Sequence, residues 1–68
     1  DSADVRIKVY DVGGNHVTTL YNQKSNPGAV LITWDGTNKR GRNVVRGVYY
    51  IIIRIDKERY VKKVLVIR

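Results

Sequence analysis

The sequence predicts an all-β domain, a small sandwich of about five antiparallel strands, and three observations carry that reading. Apolar runs of strand length are separated by Gly, Asn, Asp and Pro at roughly the 8–12-residue spacing of sandwiches and barrels. No segment has the 3.6-residue apolar period of an amphipathic helix. GVYYIIIRI, Gly47 to Ile55, is apolar on both faces of the strand it would form, with an unbroken run from Val48 to Ile53. A strand with one wet face would alternate.

Each element follows from its residues. Val5 to Asp11, VRIKVYD, alternates with Val5, Ile7 and Val9 on one side and Arg6, Lys8 and Tyr10 on the other, as a half-buried strand does. Val12 to Asn15, VGGN, is a turn whose glycines can take positive φ. His16 to Tyr21 returns as the second strand of a hairpin. Val17 and Leu20 differ in parity there, which predicts a bulge or one side chain at the rim. Asn22 to Gly28 reads as a loop, with Asn26-Pro27-Gly28 as its turn. Ala29 to Gly36, AVLITWDG, reads as the third strand, and Thr37 to Gly47 as a long polar connection turning at Gly41. Val48 to Ile55 is the fourth strand, placed centrally because both its faces are apolar. Asp56-Lys57-Glu58 turns the chain into the last strand, Arg59 to Arg68.

A chain of 68 residues makes one domain, here residues 1–68, and buries only roughly 60% of its unfolded surface. It has no cysteine and a single histidine, His16, so it holds neither a disulfide framework nor a thiolate or multi-histidine metal site. It starts at Asp1 without any methionine, which reads as a processed product or a fragment. No apolar run approaches the ~20 residues of a membrane-spanning helix. The formal charge of +7 permits an anionic partner without selecting one. The basic residues are dispersed, densest from Lys39 to Arg46, and read first as a solvated surface with charges guarding sticky strands.

The motif spacing is that of a known family. VYDVGGNHVTTL resembles V-Y-D-x-x-G-x-x-V-x-x-L. PGAVLITWDGTNKRGRNVVRGVYY resembles G-x-x-x-x-x-W-D-G-x-[ND]-x-x-G-x-x-V-x-x-G-x-Y, and KKVLVIR looks like the closing strand of the same domain. The resemblance runs from Val5 to Ile67. It is to the immunoglobulin-like domain of flagellar hook-capping proteins and to the related C-terminal sorting domains of type IX secretion cargo. It implies a compact immunoglobulin-like β-sandwich, non-catalytic, in a secreted or surface-exposed bacterial protein. In the sorting domains the closing strand, here Lys62 to Ile67, is part of what the secretion machinery reads. The chain departs from the family at Asn15, where a charged residue is frequent.

The motif residues Tyr10, Asp11, Gly14, Trp34, Asp35, Gly36, Gly41, Gly47 and Tyr49 also have a physical reading of their own. Trp34, the only tryptophan, suits a core plug whose N–H needs an acceptor. Asp11 and Asp35 can each bond their own backbone in an Asx-turn. Gly47 suggests close backbone approach or a bulge.

Several chemistries are disfavoured. Asp11, Asp35 and Asn38 are oxygen donors in loops, but D-G-T-N lacks the alternating acidic positions of a calcium loop. Ser2 and Ser25 lie in a terminus and a loop, His16 has no acidic neighbour at useful spacing, and Asp56 and Glu58 sit in a solvated turn. The chain therefore reads as no enzyme and as needing no cofactor. A basic nucleic-acid-binding barrel is the rival class. Tyr10 with Arg6 and Lys8 comes nearest to its aromatic–basic platform, yet phenylalanine and any RNP-like motif are missing.

The two-faced strand points to protein partners instead. Tyr50 and Ile52 on its second face, with Lys62, Lys63, Val64, Leu65, Val66 and Ile67 of the closing strand, are the candidate contact residues. Long apolar strands pair with other chains unless blunted. The expected partner is secretion machinery or the parent protein. A homo-oligomer or filament built by strand pairing or donation is the alternative.

Overall fold

The computed structural model describes residues 3–25 and 33–67. Four antiparallel strands form one sheet: β1 Ala3–Asp11, β2 His16–Ser25, β3 Gly47–Ile55 and β4 Glu58–Val66, in the spatial order β2-β1-β3-β4. The two sequence-local hairpins form as expected, and the isoleucine-rich β3 lies inside the sheet. What joins them is the non-local β1–β3 pairing, which sets Val5 opposite Ile55, Ile7 opposite Ile53 and Val9 opposite Ile51.

That register makes the core. Val5, Ile7, Val9 and Tyr49 are buried, and Val9 is fully so. Burying an aliphatic side chain of this size contributes about 1.5–3 kcal/mol. Ile51, Ile53 and Ile55 share their face and are half-buried. Trp34 lies over the same face, edge-on to Tyr49.

Several boundaries differ from the sequence reading. The strand read as ending at Tyr21 continues to Ser25, because Asn22, Gln23, Lys24 and Ser25 find partners in Arg6, Val5, Asp4 and Ala3. These polar residues have weak β propensity, and backbone pairing overrides it. The β1–β2 ladder skips Leu20 between the pairs Ile7–Tyr21 and Lys8–Thr19, and skips Val17 between Val9–Thr18 and Tyr10–His16. Two register shifts thus account for the parity mismatch of Val17 and Leu20. The last hairpin turns through Asp56 and Lys57 alone, since Glu58 already pairs with Ile55. Asp56 takes φ 53° there, a conformation aspartate tolerates better than most residues. β4 ends at Val66, leaving Ile67 outside the strand.

The expected third strand, Ala29 to Gly36, lies outside the described residues from 29 to 32, as do the Asn26-Pro27-Gly28 turn, Leu31 and Arg68. Its described end, Thr33 to Gly36, is irregular rather than extended in a ladder. The described residues thus form a single four-stranded sheet, and the expected second sheet of a sandwich is not among them. The polar connection is ordered by its own hydrogen bonds. A Thr37–Asn43 bridge closes a small loop, and Lys39 N–H donates to the Val17 carbonyl at 3.1 Å. Val17 has no partner on β1, so the register shift leaves its carbonyl for this tether.

Candidate protein-contact surface

The motif residues build one end of the domain. Trp34 Nε1–H donates to the Thr37 carbonyl at 2.8 Å, so the indole buries its body while its polar edge is satisfied. Its ring meets Tyr49 at 5.3 Å between centroids and 66° between planes. Tyr49 Oη–H donates in turn to the Val45 carbonyl at 2.7 Å. Trp34 and Tyr49 therefore clasp the two ends of the connection between residues 34 and 49 against the core face.

Asx chemistry holds the turns as expected. Asp11 Oδ1 accepts from the backbone N–H of Gly13 and of Asn15, both at 2.9 Å, and Oδ2 accepts from Asn15 Nδ2 at 3.2 Å. The Asn15 backbone N–H, first among these, holds the Asp11 carboxyl below its usual range. Asp35 Oδ1 accepts from Thr37 N–H at 3.1 Å. Asn38 repeats the device unanticipated, its Oδ1 accepting from Arg40 and Arg42 N–H at 2.9 and 3.1 Å. The asparagine–glycine spacing N-K-R-G could have signalled it. Gly14 and Gly41 take φ 83° and 77°. Gly47 takes φ 148°, and a Cβ there would meet no atom within 4 Å. Of the two expectations, close backbone approach or a bulge, the first is thereby corrected: the backbone angle, not crowding, is what favours glycine.

The candidate contact residues divide between two surfaces. Val64, Leu65, Val66 and Ile67 line a groove with Trp34, Asp35, Gly36 and Ile51. Two stretches that the sequence separates by some thirty positions thus come together. Leu65 is 63% and Ile67 78% exposed. β4 is the sheet edge, exposed from Glu58 to Lys63 and half-buried only at Val64 and Val66. Lys62 stands opposite Ile51 at this edge. Tyr50, Ile52 and Lys63 lie on the other face of the sheet, Tyr50 between Tyr10 and Lys63, and Ile52 between Lys8 and Val61. Both Tyr50 and Ile52 are half-buried. Lys8 stands opposite Ile52 and Lys63 opposite Tyr50, and long lysine stems at such positions can lie over apolar neighbours.

One feature of that second face was not anticipated. Arg6, Arg54 and Arg59 stand side by side across β1, β3 and β4. The only signal for it lies in the pairing of β1 with β3, which no local pattern encodes.

Comparison with known families bears on the whole arrangement. The FlgD Ig-like domain model matches residues 1–58. The chain belongs to the FlgD Ig-like domain family. The match spans the Asp11 turn, the Trp34-Asp35-Gly36 motif and β3, and stops at the first residue of β4. Comparisons with curated proteins and with solved structures gave no match.

Proposed function

We propose that this FlgD Ig-like domain is a non-catalytic module of a protein on the outside of a bacterial cell, acting by protein contact along β4. One observation carries the reading. Edge strand β4 is exposed over most of its length, and its apolar end forms a groove with Trp34. Among the described residues it is hydrogen-bonded as a strand only to β3. An open edge beside an apolar groove is what strand addition uses, main-chain bonds giving affinity and side-chain pockets giving specificity. The family supports a structural role, as the hook-capping resemblance implies. A sandwich completed over the half-buried Ile51, Ile53 and Ile55 is compatible with it, because a partner segment at the β4 edge would meet that same face.

In its finer form the module sorts or scaffolds its parent protein, with Lys62 to Ile67 as the segment that is read. The test is site-specific photo-crosslinking in the parent protein from Leu65 and Ile67, with Arg40 and Val45 as exposed controls. Crosslinks to another protein from the β4 positions alone support the reading, and equal yields from all four positions sink it. Deleting Lys62 to Arg68 from an exported parent blocks export if the strand is a sorting signal. A second reading, self-assembly through the same edge, follows from its length and exposure. It predicts concentration-dependent association of the chain in sedimentation.

A further inference from the structure

The sheet face turned away from Trp34 carries an arrangement that folding alone does not explain. Arg6 pairs with Arg54, and Arg54 with Arg59. Adjacent strands are about 4.7–4.9 Å apart, so three like charges form one short row. Like charges directly opposite each other are destabilising, and none of the three guanidinium groups makes an ion pair or hydrogen bond with a described residue. The described acids are engaged elsewhere. Asp11 and Asp35 hold their own turns, Asp56 accepts from Asp4 N–H, and Glu58 accepts from Tyr60 Oη–H. The remaining one, Asp4, lies toward the end of the sheet, paired with Lys24 across β1–β2.

The row lines a depression shared with Lys8, Tyr10 and Ile52. A second depression continues from Tyr10, Ile52 and Arg59 to Tyr50, Val61 and Val12, and is also lined by Gly14 and by Asp11, whose carboxylate is taken up by the Gly13 and Asn15 N–H groups. The two make one trough, cationic at one end and mainly apolar at the other. We infer that this trough is a docking surface for a protein segment carrying carboxylates beside aliphatic side chains. Guanidinium forks match carboxylates in pairs, and a bound acidic segment would relieve the repulsion within the row. The apolar end decides the class of partner. Ile52, Val61 and Val12 offer aliphatic surface where single-stranded nucleic acid takes aromatic faces for stacking, and of the two tyrosines in the trough Tyr50 is half-buried and Tyr10 is already edge-on to His16 at 5.6 Å. Arginine and tyrosine are both enriched at protein-contact centres. This surface is separate from the β4 groove, so its failure leaves the contact reading of that groove standing.

The test titrates the isotope-labelled chain with a short soluble peptide of Asp, Glu and Leu, with its Asn/Gln counterpart, and with an oligothymidylate of equal charge, following amide NMR shifts. The expected result is shifts confined to the strands around Arg6, Lys8, Ile52, Arg54, Arg59 and Val61. The acidic peptide should bind about tenfold or more tightly than its neutral counterpart, in keeping with charge-assisted pairing. The triple variant R6Q/R54Q/R59Q loses that preference. The triple variant K39Q/R40Q/R42Q, equal in net charge, keeps it. R59Q alone, on the edge strand, gives a partial loss and guards against misfolding of the triple variant. The proposal is overturned by an absence of peptide-dependent shifts or by equal loss in both triple variants. It is equally overturned if the oligothymidylate binds more tightly than the peptide at equal salt.

Discussion

Trp34 meets Tyr49 edge-on, with ring centroids 5.3 Å apart. The contact joins the second described residue of the segment leading into β3 to the first buried residue of β3. Each ring also sends its polar group to a carbonyl of that connection, at Thr37 and Val45. Shape and hydrogen bonding thus act together at one point on the core face.

Removing the indole should therefore loosen the connection as well as the core. Trp34→Ala is expected to cost about 2–4 kcal/mol, somewhat below a fully buried aromatic truncation because Trp34 is half-buried. Tyr49→Phe keeps the ring contact and loses one hydrogen bond, for about 1 kcal/mol. Urea unfolding of both variants checks the order. Equal costs would mean that the hydroxyl, not ring packing, dominates the clasp.

The β1–β2 turn should weaken in acid. The Asp11 carboxyl has its pKa lowered chiefly by the Asn15 backbone N–H, so its folded-state value lies below its unfolded one. Its stabilisation is complete above the unfolded-state pKa and is lost as pH falls through the folded-state value. Asp11→Asn should flatten the acid limb of the stability profile. An unchanged acid limb would assign that pH dependence to another carboxylate.

Tyr60 should act at the alkaline end. Its hydroxyl donates to the Glu58 carboxylate, and that hydrogen bond raises its pKa. The stabilisation is present below the unfolded-state pKa and disappears as pH rises through the folded-state value. Ultraviolet titration of Tyr60 in Glu58→Gln should show the pKa moving down. No movement would show that the pair does not form in solution.

The arginine row predicts a mutation that stabilises. Arg54→Gln removes the middle charge of Arg6, Arg54 and Arg59 and should raise stability by about 0.2–1 kcal/mol at low salt. The gain should shrink in high salt, where surface charges are screened. A loss of stability at low salt would mean that the row is already neutralised within the chain.

Glycine at position 47 is required by its backbone alone. Gly47→Ala meets no atom within 4 Å, yet φ is 148°, so a cost of about 1–3 kcal/mol is expected from strain. Thermal unfolding measures it, and a neutral result would show that β3 can begin without that angle.

Much of this was legible locally. The alternation of Val5, Ile7 and Val9 identified a core face that the structure buries. The Asp11 and Asp35 turns and the Trp34 N–H partner followed from side-chain chemistry acting within a few residues. Where β2 ends was not legible, because Asn22 to Ser25 are extended only by pairing with the start of β1. The Asp56-Lys57 turn was misjudged by one residue because Glu58 looks like turn composition until Ile55 pairs with it.

By itself the sequence determined the all-β class, the two hairpins, the interior position of β3 and the family motifs, all of which depend on period-two patterning and turn residues close in the chain. Tertiary structure alone decided that β1 lies beside β3, and with it the Arg6–Arg54–Arg59 row and the meeting of Trp34 with Val64 to Ile67. The reason is physical. Pairing between strands distant in sequence is selected by the register that buries Val5, Ile7 and Val9 against Ile55, Ile53 and Ile51, and that choice is made by the sheet as a whole.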